Sequence, residues 1–309
     1  MRGASGRRLA SARLALVLLL AAPASWAADV AILKSSDVPA WRPALDGLRR
    51  TAPSHPFTEY DLNGDKAEAE RVLGQLKGKG TILVAMGPLA ATAARELAPE
   101  NPLVFCMVQD PAKLGLLDAP HTTGVAFSIP VKNQLAVFRL VHPRAVKVGV
   151  IFNEANTGRL IQEAKAAAGV VHLAIVERPV TSDKQVPEAL RSLLGGSGAV
   201  DALWLTPDPM LLGDEARRFV LGETLKAGKP VYSFSSALVS EGALVSNGPD
   251  IGSIGEQVGE LVNRLAGPGE SGKIEMLIPR AELVINKKVA EKLKIEIPVD
   301  ALRAASKVF

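Results

Sequence analysis

The chain has 309 residues, of which 48% are hydrophobic, 22% charged and 4% aromatic, a composition typical of a globular protein with a substantial core. Its single cysteine excludes an intrachain disulfide, and its four histidines are scattered without metal-ligand spacing. The 36 lysines and arginines against 32 aspartates and glutamates give a formal charge of +4.

The first 27 residues have the pattern of a secretory signal peptide, with cleavage expected after Ala27. Four arginines precede the apolar run 14–22, Pro23 ends that run, and Ser25 and Ala27 are the small residues that a signal peptidase reads. The run is too short to span a membrane, which takes about 20 residues. Removing the segment leaves 32 residues of each sign, so the charge gives no support for nucleic-acid binding. We expect a periplasmic protein that does not insert into the membrane once the signal is removed.

Short apolar runs alternate with helical stripes along the mature chain and predict successive βα units. The predicted strands are 30–34, 81–86, 103–108, 148–152, 171–176, 202–206, 231–234, 274–278 and 283–286, and the predicted helices lie near 41–48, 69–76, 88–97, 135–141, 160–168, 186–194, 213–227, 251–265 and 287–294. Runs 30–35 and 148–153 look like equivalent first strands of two similar halves. The sequence therefore predicts an α/β fold with two Rossmann-like, doubly wound lobes, whose parallel sheets surround an interlobe cleft.

Residues that follow the predicted strands are the candidate ligand contacts, because ligands of open parallel sheets lie beyond the carboxyl ends of the strands. The first half offers Ser35, Ser36, Gly87, Pro88, Gln109 and Asp110, and the second offers Asn153, Asn156, Thr157, Asp208, Ser235 and Ser236. Small polar residues suit a cleft that hydrogen-bonds a small solute. The same residue types cap helices, so Ser35, Ser36, Thr157 and Asp208 also have a purely structural interpretation.

Two further sets of residues bear on the site. Trp41, Phe127, Phe152 and Phe234 are candidates for stacking on a ligand, although residues of this type more often belong to the core. No nucleophile elbow, phosphate-binding loop or H-E-x-x-H motif occurs, and the neighbouring Asp214 and Glu215 point apart on a helix. We expect no catalytic residue, no metal and no cofactor, and therefore no enzyme.

Several segments, in this order, resemble the ABC-transporter substrate-binding proteins of the tryptophan/tyrosine-binding type, which have the type I periplasmic-binding-protein fold. They are 84–87 with Ala90 and Ala91, 102–105 with Val108 and 110–111, 123–125, 142–150, Asn153 with 156–157, 201–203, 228–231, 283–286 and 297–298. The resemblance covers residues 29–300. It implies a protein that binds a small solute, such as an amino acid, between its lobes and closes by a hinge. The closed form would then be presented to an ABC permease in the inner membrane.

The resemblance also implies roles for individual residues. Gln109 and Asp110 would contact the ligand from the first lobe, and Asn153, Asn156, Thr157 and Asp208 from the second. Asp208 would bind a ligand ammonium, and Thr157 with nearby helix amides would bind a carboxylate.

One position departs from the family pattern. The family carries a hydroxyl residue after the glycine that matches Gly87, whereas Pro88 offers neither a hydroxyl nor an N–H. We expect Ser35 or Ser36 to replace that anchor.

The implied lobes are discontinuous. The N-terminal lobe is expected to comprise residues 28–128 and about 246–275, and the C-terminal lobe 129–245 and about 276–309. The hinge is expected near 126–130, 236–246 and 270–282.

Two other classes of function share these features. A ligand-sensing periplasmic module that signals to a membrane receptor or kinase needs the same closure, and the sequence does not separate it from a transport protein. A periplasmic α/β enzyme is the third class, against which the missing catalytic motifs argue.

Overall fold

Residues 27–196, 198–268 and 274–309 are described by the computed structural model, so the predicted signal peptide lies outside the described residues except for Ala27. The strands are β1 Val30–Lys34, β2 Phe57–Asp61, β3 Ile82–Met86, β4 Leu103–Cys106, β5 Thr122–Gly124, β6 Lys147–Phe152, β7 Ala174–Pro179, β8 Ala202–Leu205, β9 Val231–Ser233, β10 Val245–Pro249, β11 Ala281–Ile285 and β12 Lys307–Val308. The α-helices are α1 Arg42–Thr51, α2 Lys66–Leu76, α3 Pro88–Leu97, α4 Val131–Val141, α5 Glu154–Ala168, α6 Val186–Leu194, α7 Pro209–Leu212, α8 Asp214–Lys226, α9 Ser236–Glu241, α10 Ile251–Ala266, α11 Lys287–Lys292 and α12 Val299–Ala304.

The strands assemble into two separate sheets, one in each lobe. The first is parallel with the order β2-β1-β3-β4-β5. The second has the order β12-β11-β10-β9-β8-β6-β7, and within it only the pair β10–β11 is antiparallel among the described strands. The predicted architecture of two doubly wound α/β lobes is confirmed, with one antiparallel pair in the second sheet that the sequence analysis did not predict.

Both sheets are covered by helices on their two faces, which explains why their central strands are apolar throughout. All five residues of β3 are buried. Alternate residues enter different cores: Ile32 and Val84 pack on one face of the first sheet, and Leu33 and Leu83 on the other. The second sheet likewise separates two clusters of buried side chains.

Helix α10 completes the first lobe although it follows β6 to β10 of the second in the chain. It packs along α1 so closely that a Cβ at Gly255 would lie 1.8 Å from the carbonyl oxygen of Ala44, and one at Gly259 would lie 2.8 Å from Thr51 Cβ. Backbone atoms cannot retreat as a flexible side chain can, so glycine is required where these helices meet.

The chain crosses between the lobes at three places within the described residues. It leaves the first sheet after Val125, re-enters the first lobe between β10 and α10, and returns to the second sheet between Leu277 and β11. Residues 246–249, which we expected in the first lobe, belong to the second sheet, because β10 pairs with β9 and β11. Leu277, which we expected in the second lobe, bridges Val125 of the first.

Three titratable groups lie away from the crossing segments. Cys106 is buried at the end of β4, and burial raises the pKa of its thiol to about 12. His142 Nδ1 lies 2.8 Å from the hydroxyl oxygen of the buried Tyr232. Burial lowers the pKa of His142, and Asp201 nearby opposes that shift.

Candidate functional site

A cleft of about 740 Å³ lies between the lobes and is lined by residues of both. The first lobe contributes the segment after β4, and the second contributes the first turns of α5 and the segments after β8 and β9. Residues 127–130 and 247–249, next to two of the crossings, also line it. The cleft is therefore adjacent to the backbone segments that must bend if the lobes move.

Six of the twelve predicted site residues line this cleft. They are Gln109, Asp110, Asn156, Thr157, Ser235 and Ser236. Phe127 and Phe234, two of the four aromatic candidates, line it as well, whereas Phe152 is 3% exposed in the core of the second lobe. Gln109 and Asp110 follow Met107, whose φ of 58° lies in the left-handed region and redirects the chain beyond β4.

The other six predicted residues do not line the cleft. They are Ser35, Ser36, Gly87, Pro88, Asn153 and Asp208. The residues that follow β1 and β3 serve the packing of the first lobe, and Asn153 and Asp208 serve the packing of the second.

Asp208 is fully buried and forms four hydrogen bonds within the protein. Its Oδ2 accepts from the backbone N–H of Asn153 at 2.7 Å and from the hydroxyl of Thr157 at 2.9 Å. Its Oδ1 accepts from Asn156 Nδ2 at 3.2 Å and from the N–H of Met210 at 3.1 Å. The carboxylate thus joins the start of α5 to the start of α7. This arrangement corrects the expectation that Asp208 binds a ligand ammonium.

The start of α5 is already capped. Asn153 accepts a hydrogen bond from the N–H of Ala155 at 2.9 Å with its Oδ1, and its backbone oxygen accepts from Asn156 N at 3.0 Å. Because Thr157 gives its only hydroxyl proton to Asp208, it has none left for a solute carboxylate. The carboxylate-binding role that the resemblance implied for Thr157 is therefore not supported by this geometry.

Gly87 and Ser35 form the cap of α3. Gly87 has φ of 92°, and a Cβ there would lie 2.7 Å from Ser35 Oγ. Ser35 Oγ accepts a hydrogen bond at 2.9 Å from Ala90 N, on the first turn that begins with Pro88. Ser35 therefore caps α3 and does not anchor a ligand. Ser36 is half-buried beside it and does not line the cleft either.

Charged residues give the cleft a net negative lining. Among the described lining residues, the carboxylates are Asp110, Glu154, Glu163 and Glu282, and the cations are Lys113 and Arg159. Arg159 on α5 reaches across the cleft to Asp110 at 2.8 Å and lies 3.7 Å from Glu163. This ion pair joins the two lobes directly.

Several lining residues were missed by the sequence analysis. Gln134 on α4 and Asn247 on β10 are 5% and 3% exposed. Neither residue directly follows a predicted strand, and the candidates were chosen only from residues that do. Arg159 and Glu163 lie further along α5, one and two turns from its start, and were missed for the same reason.

Metal-binding clusters and membrane-spanning helices are both absent from residues 27–196, 198–268 and 274–309. No cluster of three or more histidine, cysteine or acidic side chains there is arranged to hold a metal ion. None of the helices in these ranges is long and apolar enough to cross a bilayer.

Two α/β lobes joined by repeated crossings around a shared cleft define a two-lobed solute-binding fold. Residues 57–309 match the family described as ABC transporter substrate binding protein, and the chain belongs to this family. Its members bind solutes and are not enzymes.

Known proteins provide three comparisons. The chain is 24% identical over 227 residues to a tyrosine-binding protein of Clostridioides difficile (strain R20291), an alignment covering 71% of this chain and 64% of that relative, less than two thirds of its length. A Streptococcus pneumonia ABC domain solved in complex with L-Trp is 20% identical, with a TM-score of 0.67 and coverage of 92% and 100%. A ligand-free, open substrate-binding protein from Clostridium difficile, described as having adhesive properties, is 19% identical, with a TM-score of 0.78 and coverage of 91% and 99%. These structures establish the common fold.

Proposed function

We propose that this chain is the periplasmic receptor of an ABC importer, exported by a cleaved signal peptide and released as a protein without a membrane segment. It binds one small solute in the interlobe cleft, closes around it, and presents the closed form to a permease of the inner membrane. The observation that carries this proposal is a cleft lined by both lobes next to the crossing segments. A ligand that contacts both lobes stabilises the closed state by its differential affinity for that state.

We further propose that the solute is an aromatic amino acid or a close analogue. Phe127 and Phe234 supply two half-buried rings in a cleft that also carries serine hydroxyls at Ser235 and Ser236. The named ligands of two similar proteins, tyrosine and L-Trp, support the same class. Aromatic rings stack in offset or edge-to-face contacts, so the pair suits a planar ring.

The test is thermal unfolding of residues 28–309 against L-tryptophan, L-tyrosine, L-leucine, ribose and myo-inositol. A ligand at about 100 times its Kd adds about 2.7 kcal/mol to stability, which raises the unfolding midpoint by several degrees. Closure is measured separately, as a ligand-dependent decrease in the radius of gyration by small-angle X-ray scattering.

A matched pair of variants locates the site. Ala155 is exposed on the cleft wall, so Ala155→Trp fills the cleft without disturbing the core. Ala304 is exposed outside the cleft, so Ala304→Trp is the control. The proposal predicts that the first variant loses the ligand-induced rise in midpoint and that the second keeps it. A rise that persists in both variants would show that the solute binds elsewhere.

A further inference from the structure

Gln134 carries a hydrogen-bond acceptor that the fold leaves unused. Its side chain lines the cleft and is 5% exposed. Its Nε2 donates to the backbone oxygen of Ile129 at 2.8 Å, and a carbonyl oxygen can only accept, so the orientation of the amide is fixed. Oε1 is buried and has no hydrogen-bond partner among the described residues. A buried acceptor without a partner is costly, so a ligand donor that reaches it is favoured.

Other lining residues offer a further acceptor and a surplus of negative charge. Thr157 gives its hydroxyl proton to Asp208, so the lone pairs of its oxygen are what it offers to a solute. The lining carboxylates outnumber the lining cations by four to two in the described cleft, and one of those cations, Arg159, is already paired with Asp110. The charge of this lining therefore favours a cationic donor.

We propose that Gln134 is a ligand-binding residue whose Oε1 accepts a hydrogen bond from a protonated amine of the solute, and that the cleft selects amines over solutes that carry only a carboxylate. An ammonium group brings three donors and a positive charge, which match the acceptors and the negative lining. A carboxylate brings acceptors and a negative charge, which match neither. This inference rests on the proposed function in one respect, that the solute occupies this cleft.

The test compares two probes that share an indole ring. Tryptamine has an amine and no carboxylate, and indole-3-propionate has a carboxylate and no amine. Binding to residues 28–309 is measured by isothermal titration calorimetry. We expect tryptamine to bind at least tenfold more tightly. An aliphatic pair, n-pentylamine and pentanoate, is measured in parallel, so that the charge preference is tested without an aromatic ring.

Two variants test whether Gln134 acts through its Oε1 acceptor or through its hydrogen bond to the backbone oxygen of Ile129. Gln134→Met loses both the acceptor and the donor, whereas Gln134→Glu loses only the donor and keeps an acceptor. Both variants lose the hydrogen bond to Ile129, so a difference between them reports an oxygen acceptor at this position together with the charge that glutamate adds. We expect Gln134→Met to weaken tryptamine at least tenfold with indole-3-propionate unchanged, and Gln134→Glu to retain tryptamine binding.

Each other outcome is decisive. Equal loss of both indole probes in Gln134→Met, or equal loss of tryptamine in the two variants, would show that Gln134 acts only through Ile129 and overturns the inference. An aliphatic amine that binds where no indole compound does overturns the aromatic class of the proposed function and supports this inference. If no amine of either kind binds more tightly than its paired carboxylate, the inference is overturned.

Discussion

Replacing Asp208 by asparagine tests whether this carboxylate holds the second lobe together. The substitution keeps the shape of the side chain but exchanges one oxygen for an NH2 group. That group would face two donors that now bond to the carboxylate, either Asn153 N and the Thr157 hydroxyl or Asn156 Nδ2 and Met210 N. The Thr157 hydroxyl can turn and accept, but a backbone N–H, of Asn153 or of Met210, faces a donor in either orientation. At least one of the four hydrogen bonds is therefore lost, and the others lose a charged acceptor.

The expected cost combines one lost hydrogen bond with the weakening of the other three. Hydrogen bonds to a charged group contribute about 1.5–3 kcal/mol each and neutral ones about 0.5–1.5 kcal/mol, so the loss of unfolding free energy is about 3 kcal/mol. For a chain of this size, that loss lowers the unfolding midpoint by about 5–10 °C. Asp208→Ala, which removes all four bonds, should cost more.

The assay is thermal and urea unfolding of the ligand-free protein, followed by circular dichroism. Asp300 is the matched control, since its side chain is 86% exposed and its ion pair with Arg303 is long, at 3.8 Å. Asp300→Asn should change stability by less than about 0.5 kcal/mol. If Asp208→Asn leaves the ligand-free protein as stable as the wild type but lowers solute affinity tenfold, Asp208 serves the ligand and our reasoning is wrong.

Three further predictions test other parts of the structure. Gly255→Ala should cost about 2–3 kcal/mol in thermal unfolding, because the added methyl would lie 1.8 Å from a carbonyl oxygen. Gly222→Ala, a helical position with no atom within 4 Å, should instead gain about 0.5–1 kcal/mol, and equal effects at the two sites would contradict the packing argument. Because burial lowers the pKa of His142 below its usual 6.5, the unfolded chain takes up that proton first, so stability falls on acidification from about pH 6.5 to 5. Urea unfolding at several pH values should show a smaller decline for His142→Gln, and an identical slope would rule out this histidine as its source. Arg159→Gln removes the ion pair across the cleft, which at this exposure contributes at most about 1 kcal/mol, and should increase the ligand-free radius of gyration measured by scattering. An unchanged radius would show that the ion pair does not hold the lobes together.

The local sequence was sufficient to predict elements that are uniformly apolar or that begin at a clear signal such as proline. The bounds of β1, α3 and α6 agree with the prediction, since β1 is a buried apolar run and both helices have a proline in their first turn. Strands β2 and β10 were missed, because FTEYD and VSNGP contain polar, glycine or proline residues and are ordered by the strands beside them.

Two predicted strands were misplaced for a related reason. Strand β7 begins at Ala174, three residues later than predicted, because the chain after α5 first makes a 3₁₀ turn at Gly169–Val171 and then passes through His172 with φ of 56°. In the predicted strand 274–278, the described residues form only a single bridge, between Leu277 and Val125.

The sequence could predict site residues only where they directly follow a strand, which we call the strand-end rule. That rule finds Gln109 and Thr157, because each follows a strand whose carboxyl end meets the cleft. It does not distinguish Asp208, which follows β8 but turns its carboxylate into the protein. It misses Gln134, because a crossing segment and not a strand precedes its helix. Which polar residue faces inwards depends on partners far away in the sequence.

The placement of α10 has a consequence for the order in which this chain can fold. The first lobe is closed by a helix that starts at residue 251, after β6 to β10 of the second lobe have been made. The surface of α1 around Gly47 stays uncovered until that helix packs on it, so the first lobe cannot finish folding before most of the second lobe's chain is available. Cutting the chain near residue 130 would for the same reason yield no independent lobe. A single-lobe protein would need residues 28–128 rejoined to the segment that begins with α10.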